Sequence, residues 1–122
     1  MKQVRVRNTT NLALRDLKVR FCSSFLSRFK GLMFQPGLGH YEGILLVEDS
    51  ESRINSAIHM FFMRFDIAVI WINSKFQVVD VQIARKGRPF YIPAAASKFT
   101  LETHPDRVSD FRIGDILSFN DL

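Results

Sequence analysis

The sequence contains little cysteine and no long apolar run, and each of these absences excludes some classes of protein. It contains one cysteine, Cys22, so no disulfide can form within the chain. No window of about 18 uninterrupted apolar residues exists, which argues against a membrane-spanning helix. Its first residues alternate apolar and charged side chains and lack the continuous apolar segment of a secretory signal. Together these absences predict a cytoplasmic protein in a reducing compartment, without membrane contact.

The chain does have abundant apolar side chains. Apolar residues make up 47% of the sequence and charged residues 24%, which is typical of a folded domain rather than a disordered one. The 12 phenylalanines can supply most of a core, since each contributes roughly 1.5–3 kcal/mol when fully buried. At this length we expect residues 1–122 to form a single domain that is monomeric or at most a weak homodimer.

Apolar residues recur with a period of two along most of the chain, which is typical of β-strands. A short helix is expected over residues 25–30, capped by Ser23 or Ser24 and ended by Gly31, and a helical turn is expected after Pro105. Many short strands separated by turn residues predict a mainly β fold, namely a jelly-roll-like sandwich or barrel with one or two short helices. The predicted strands cover residues 4–6, 17–21, 43–47, 56–62, 67–72, 76–84, 99–103 and 116–119.

Three polar side chains interrupt the most apolar part of the sequence. His59, Arg64 and Asp66 lie inside the apolar run from residue 58 to residue 72, where unpaired polar groups are costly to bury. They indicate either a satisfied structural network or the wall of a pocket, in which Arg64 would bind a carboxylate or phosphate and His59 would act as donor or base. Phe61 shares a predicted strand face with His59. The candidate ligand-binding residues are therefore Arg28, His59, Phe61, Arg64, Asp66, Glu102 and Asp115.

This set predicts a binding domain more readily than an enzyme. Arg28 would point at the same pocket, with Glu102 and Asp115 as countercharges, and the ligand would be a small anionic molecule or another protein. An enzyme that uses His59 and nearby carboxylates is an alternative. The sequence has no Gly-x-Ser-x-Gly nucleophile motif, so neither a catalytic residue nor a substrate is predicted.

No metal or other cofactor is expected from the sequence. His40, His59 and His104 lack the short paired spacing that is typical of zinc ligands. Met60 and Met63, together with Met33, could form a soft copper site around His59. Methionines in a phenylalanine-rich run are more typical of core packing, so we interpret them as core residues.

Basic residues are concentrated in the first part of the chain, which has a net charge of +5 overall. Binding of nucleic acid or another polyanion is thus an alternative function, because these cations could contact several phosphates. Single-strand binders interleave their cations with stacking aromatic residues, and that arrangement is absent from the sequence. The residues of this alternative site are Arg5, Arg7, Lys18, Arg20, Arg85, Lys86 and Arg88.

Several short motifs occur in a fixed order along nearly the whole chain. They are residues 28–33 (Arg-Phe-Lys-Gly-Leu-Met), 42–46 (Glu-Gly-Ile-Leu-Leu), 58–65 (beginning Ile-His), 78–79 (Val-Val), 101–102 (Leu-Glu) and 114–115 (Gly-Asp). In this order they resemble the prokaryotic domain-of-unknown-function family 192. The resemblance implies a jelly-roll-like β-sandwich with short helices and no established activity, substrate or cofactor. Where that family usually has proline, an apolar residue and aspartate, this chain has Asp66, Ile67 and Ala68.

Overall fold

The structure is a computed structural model that describes residues 2–122. It consists of nine strands, one α-helix and one 3-10 helix in that part of the chain. The strands are β1 (Gln3–Asn8), β2 (Leu17–Cys22), β3 (Glu42–Ser52), β4 (Ile58–His59), β5 (Ile67–Ile72), β6 (Val78–Ala84), β7 (Phe90–Tyr91), β8 (Ser97–Thr103) and β9 (Leu117–Asp121). The α-helix, α1, is Phe25–Lys30, and the 3-10 helix is Pro105–Asp110. The predicted mainly β fold with two short helices is confirmed.

Seven of these strands form one curved mixed sheet in the order β6-β5-β8-β3-β2-β1-β9, and β4 and β7 pair separately. All neighbours in the large sheet are antiparallel except β2 and β3. The two edges approach each other at a single bridge between Gln77 and Ile116. Within residues 2–122 the strand pairing does not continue past this bridge, so the sheet is strongly curved without closing into a barrel.

Curvature gives the sheet an inner and an outer face, and each face carries its own apolar cluster. β5 supplies both: Ala68, Ile70 and Ile72 pack inside, whereas Val69 and Trp71 pack outside. Every residue of β5 is buried, which explains why its sequence is apolar without alternation. The inner cluster is completed by β1, β2 and the 3-10 helix region, and the outer cluster by the β4–β7 pair and residues near α1.

Two strand boundaries differ from the prediction. The expected strand over residues 56–62 is reduced to Ile58–His59, because the chain turns at Met60 and Phe62 adopts a left-handed backbone with φ of 60°. β3 instead continues past residue 47 to Ser52, with an irregular register after Val47. This extension places Glu48 within a strand, beyond the predicted strand end at residue 47.

The helix α1 is short and lies over the outer face of the sheet. Its N-terminus is capped by Ser24, whose side chain accepts a hydrogen bond from the backbone of Ser27. It ends at Gly31, whose φ of 46° is a conformation that other residues rarely adopt. A β-carbon at Gly31 would lie 3.5 Å from Ile44 and 3.8 Å from Oε1 of Glu102. The helix end therefore lies close above Ile44 of β3 and Glu102 of β8.

Among residues 2–122, no helix is long and apolar enough to cross a membrane.

Candidate functional site

The outer face of the sheet carries a cavity of about 460 Å³ beside α1. This volume falls in the range of small-molecule sites. Its walls come from α1, the central part of β3, the turn before β4, and β8. The lining residues are Phe25, Arg28, Phe29, Leu46, Glu48, Asp49, Ser50, Asn55, Ser56, Ala57, Ile58, His59, Thr100 and Glu102.

Glu102 is the most unusual group in this cavity. It lies near the C-terminal end of β8, between Ile44 of β3 and Val69 of β5, and only 5% of its surface is exposed. No described residue donates a hydrogen bond to its carboxyl group or forms an ion pair with it. Because water is largely excluded, burial raises the pKa of Glu102 to about 8. A buried carboxyl without a protein partner marks a position where a ligand group can be recognised.

Arg28 lines the same cavity but is engaged by other partners. Its Nε lies 3.2 Å from Oε2 of Glu48, and its Nη1 donates to the carbonyl oxygens of Ser23 and Val47, the latter at 3.3 Å. Burial raises the pKa of Glu48, and the charge of Arg28 partly opposes this rise. Arg28 thus joins α1 to β3 and neutralises Glu48 and not Glu102.

His59 stands at the edge of the cavity with both ring nitrogens occupied. Nε2 lies 2.7 Å from the carbonyl oxygen of Phe29, and Nδ1 accepts a hydrogen bond of 3.2 Å from the backbone N–H of Phe61. Since a carbonyl can only accept and an N–H can only donate, these contacts fit the neutral ring with its proton on Nε2. The imidazole is therefore fixed to the backbone, and neither ring nitrogen is free.

The wall opposite α1 is held by a buried tryptophan. The indole N–H of Trp71 donates to the carbonyl oxygen of Ser56 at 2.8 Å, and the hydroxyl of Thr100 donates to the same oxygen at 3.4 Å. The Ser56 hydroxyl in turn donates to the carbonyl of Ser52. These bonds fix the turn between β3 and β4 against the sheet, so the cavity is bounded by ordered backbone on that side.

The structure brings together three of the seven predicted ligand-binding residues, namely Arg28, His59 and Glu102, around this cavity. Phe61 lies beside it, with its ring centroid 5.5 Å from that of His59. Arg28 pairs with neither Glu102 nor Asp115, the partners that the sequence suggested for it.

The other three predicted residues lie elsewhere. Arg64 and Asp66 line a second cavity, of about 490 Å³, together with Lys86. There Asp66 accepts a hydrogen bond from the backbone N–H of Lys86 at 3.0 Å. Asp115 precedes β9, where its Oδ2 accepts from the Asn8 side chain at 2.8 Å and from the backbone of Arg112 at 2.9 Å. Both aspartates thus stabilise turns.

Four of the seven basic residues of the alternative site lie on one face of the paired strands β1 and β2, where Arg5 is directly opposite Lys18, and the other three lie in a distant turn. Arg7 and Arg5 lie 2.9 and 3.8 Å from the carboxylate of Asp16, and the hydrogen bond from Arg7 lowers the pKa of Asp16. Lys18 and Arg20 line a groove with Glu42. The turn between β6 and β7 carries the remaining three, Arg85, Lys86 and Arg88.

Among the described residues, one group of side chains has the composition of a metal site. Ligand atoms of His40, His104 and Asp106 lie within 4.8 Å of one another, and the two imidazole rings stack with centroids 4.1 Å apart. His104 caps the 3-10 helix, because its Nδ1 accepts a hydrogen bond of 3.1 Å from the backbone of Asp106. The cap accounts for the position of His104 without a metal ion.

Sequence reasoning missed several residues of the cavity, above all Glu48, Phe25 and Phe29. The polar neighbours of Glu48 indicate a turn, although the apolar Leu46 two positions earlier already points to the same strand face. Phenylalanines such as Phe25 and Phe29 are expected to fill the core, yet no residue of α1 is buried. Spacing of four residues puts both rings on one side of the helix, a signal that could have identified them as one surface.

Sequence comparison defines the relationship of this chain to known proteins. The model of the DUF192 family, described as "Uncharacterized ACR", matches residues 5–119. The chain belongs to this family. A UPF0127 protein of Thermococcus kodakarensis is 38% identical over 104 residues, which cover 84% of this chain and 64% of that protein. A UPF0127 protein of Pyrococcus furiosus is 36% identical over 106 residues, covering 85% of this chain and 88% of that protein.

Solved structures with the same architecture support the DUF192 fold. A Sinorhizobium meliloti protein provisionally described as a transcription regulator superimposes with a TM-score of 0.83 and 16% identity, covering 97% of this chain and 92% of that one. A protein of unknown function from Novosphingobium aromaticivorans gives a TM-score of 0.80 and 17% identity, covering 95% and 83%. At these identities the likeness concerns the fold alone. The chain spans about two thirds of the length of its Thermococcus relatives, 63–66%.

Proposed function

We propose that this domain binds a small molecule in the cavity above Glu102, and that the ligand presents a hydrogen-bond donor or a positive charge to the Glu102 carboxyl. The observation that carries the proposal is a carboxyl group that is 5% exposed, faces a cavity of about 460 Å³ and has no partner among the described residues. Leaving such a group unsatisfied costs roughly 1–3 kcal/mol or more. A ligand that satisfies it regains this energy.

The charges of the lining support a donor or cation rather than the small anion expected from the sequence. Three carboxyl groups, those of Glu48, Asp49 and Glu102, line the cavity with one cation, Arg28, and at neutral pH the Glu102 carboxyl holds a proton that a cationic ligand would displace. Arg28 is already bound to Glu48 and to two carbonyl oxygens. An anion in this cavity would contact one guanidinium group that is already paired with Glu48, and it would lie close to carboxyl groups. This environment disfavours binding of an anion.

The environment of His59 supports binding rather than catalysis. A general base needs a free nitrogen within hydrogen-bond reach of the proton that it removes. Both nitrogens of His59 are held by backbone groups, and the thiol of Cys22 is buried, which raises its pKa and keeps it protonated. The proposal accordingly assigns no reaction to the domain. It also places the domain in the cytoplasm, where a lone thiol stays reduced.

The proposal is tested by titrating the isotopically labelled protein with ethylammonium, ethanol and acetate at constant ionic strength. We expect ethylammonium to shift the amide signals of Gly31, Ile44 and Glu102. The Glu102→Gln variant keeps the shape of the side chain and removes its acidity, so it should weaken this binding at least about tenfold. Acetate binding at these residues, or ethylammonium binding that Glu102→Gln leaves unchanged, would overturn the proposal.

A further inference from the structure

A ledge of aromatic rings begins in the wall of the cavity and continues beyond it. Phe25 and Phe29 of α1 line the cavity, and their ring centroids are 6.3 Å apart. From Phe29 the rings continue to His59 at 5.0 Å, from His59 to Phe61 at 5.5 Å, and from Phe61 to Phe90 at 5.3 Å. We call these five residues, Phe25, Phe29, His59, Phe61 and Phe90, the aromatic ledge.

The phenylalanines of the ledge are exposed to water instead of buried. Their relative exposures range from 45% for Phe61 to 71% for Phe25. Contiguous apolar surface of this kind is uncommon on a folded domain unless it contacts a ligand or partner. Aromatic side chains supply large contact area with few rotatable bonds, so the ledge can bind an apolar group at low entropic cost.

The ledge is uncharged along its whole length, although a histidine lies in its middle. The backbone contacts of His59 fit the neutral ring, and the four other members are phenylalanines. The cavity at its upper end is acidic, with Glu48, Asp49 and Glu102 in the wall. One continuous surface thus changes from acidic to apolar over the four ring-to-ring steps from Phe25 to Phe90.

From this polarity we infer that the ligand of the cavity is an amphiphilic organic cation, with an ammonium head group beside Glu102 and an apolar chain lying along the aromatic ledge. The inference rests on the proposed function, since it specifies the chemical class that the cavity accepts. The head group satisfies the carboxyl that the protein leaves without a partner. The apolar chain of the ligand covers rings that otherwise contact water, and Phe29 can stack against the ammonium group.

Three probes test the inference by calorimetry below their micellar concentrations: octylammonium, butylammonium and octanol. Full burial of a methylene is worth about fourfold in affinity, and the open ledge buries roughly half of that surface. We expect octylammonium to bind at least about tenfold more tightly than butylammonium. It should also bind at least about tenfold more tightly than octanol, which lacks the charge.

Variants of the ledge test whether the apolar chain of the ligand lies on it. Phe61→Ser and Phe90→Ser should each weaken octylammonium binding severalfold and leave butylammonium binding unchanged. Ile113→Ser is the matched control, because Ile113 is also exposed but lies just before Gly114 and outside the ledge. Circular dichroism checks that each variant keeps its fold.

The failures of the two proposals are distinguishable. Equal affinities for octylammonium and butylammonium would overturn the role of the ledge while the cavity proposal stands. Equal affinities for octylammonium and octanol, or equal loss in Ile113→Ser, would overturn the amphiphilic cation as ligand class. A concentration-dependent dimer that Phe61→Ser and Phe90→Ser abolish would assign the ledge to a second copy of the chain and overturn the inference. If neither an ammonium ion nor an alcohol binds, both proposals fail.

Discussion

The Nε atom of Arg28 lies 3.2 Å from Oε2 of Glu48, although Glu102 lines the same cavity. Both side chains of this pair are largely shielded, with exposures of 21% and 14%. Arg28 sits in α1 and Glu48 in β3, so the pair connects the helix to the sheet. This connection holds the walls of the cavity in place. The carboxyl of Glu102 is not part of the pair and is left to interact with a ligand.

Removing the cation should therefore destabilise the helix contact. We expect Arg28→Met to lower the free energy of unfolding by about 1.5–3 kcal/mol, the usual effect of losing hydrogen bonds to a charged group. Without Arg28 the pKa of Glu48 should rise further, because burial is then unopposed. Denaturant unfolding and carboxyl NMR titration measure both effects. The double variant Arg28→Met/Glu48→Gln should recover part of the stability, and equal stability of the single and double variants would contradict the pairing.

The carboxyl of Glu102 should make stability depend on pH. Its pKa in the folded state, about 8, is above the unfolded value of about 4.3, so the native state holds a proton that the unfolded state has lost. The contribution is fully present below about pH 4 and is lost as the pH rises through 8. Unfolding free energy should fall by up to about 1.4 kcal/mol per pH unit within this window. The decrease should be absent from Glu102→Gln, and parallel profiles for the two proteins would refute it.

Gly43 should be intolerant of a side chain. A β-carbon there would lie 2.2 Å from the carbonyl oxygen of Glu102, so strands β3 and β8 would have to separate. We expect Gly43→Ala to cost about 1–3 kcal/mol, as overpacking usually does, and to shift the amide signal of Glu102. Gly87→Ala is the matched control, because a β-carbon at Gly87 would meet no atom within 4 Å. Equal stability of both variants would argue against the close approach.

Phe62 and Phe76 share a left-handed backbone but should respond differently to substitution by asparagine. Phe62 has φ of 60°, is 64% exposed and stacks on Phe34 at the surface. Asparagine tolerates this conformation, so Phe62→Asn should change stability by less than about 1 kcal/mol. Phe76 has φ of 64° and packs against Phe99 and Phe119. Phe76 is 42% exposed, so Phe76→Asn should cost about 1–2 kcal/mol through the loss of these two ring contacts, and thermal unfolding compares the two.

Asp16 should weaken attraction of the N-terminal strands to polyanions. Its carboxylate lies 2.9 Å from Arg7 and 3.8 Å from Arg5, so Asp16→Asn exposes two uncompensated guanidinium groups. The variant should elute from heparin at higher salt than the wild type. Strong retention of the wild type with a steep salt dependence would instead favour the nucleic-acid alternative.

The sequence predicted those strands in which apolar and polar residues alternate. It did not predict the places where tertiary contacts override the local sequence pattern. The alternation of β2 and β8 placed both strands correctly. The run from Ser56 to Phe62 has the composition of a strand, yet a turn at Met60 and the left-handed Phe62 end it after His59. Nothing in the local pattern marks such a turn, because the usual signal is glycine or asparagine.

The same limit applied to the site. The sequence singles out Glu102 through its place in a spaced motif, but that it has no partner follows only from the register that sets it between Ile44 and Val69. Arg28 could be named from the sequence, whereas its partner depended on β3 extending beyond Val47. Which charges neutralise one another is a property of strand pairing, and strand pairing is non-local.

The bridge between Gln77 and Ile116 has a consequence for how this domain can meet other chains. Near it, the backbone N–H of Leu117 donates to the carbonyl of Phe76 at 2.9 Å, and that of Gly114 donates to the carbonyl of Val78 at 2.8 Å. The outermost strands thus satisfy part of each other's hydrogen-bonding capacity where they begin. A foreign β-segment that approaches the sheet at this corner finds these main-chain groups already hydrogen-bonded.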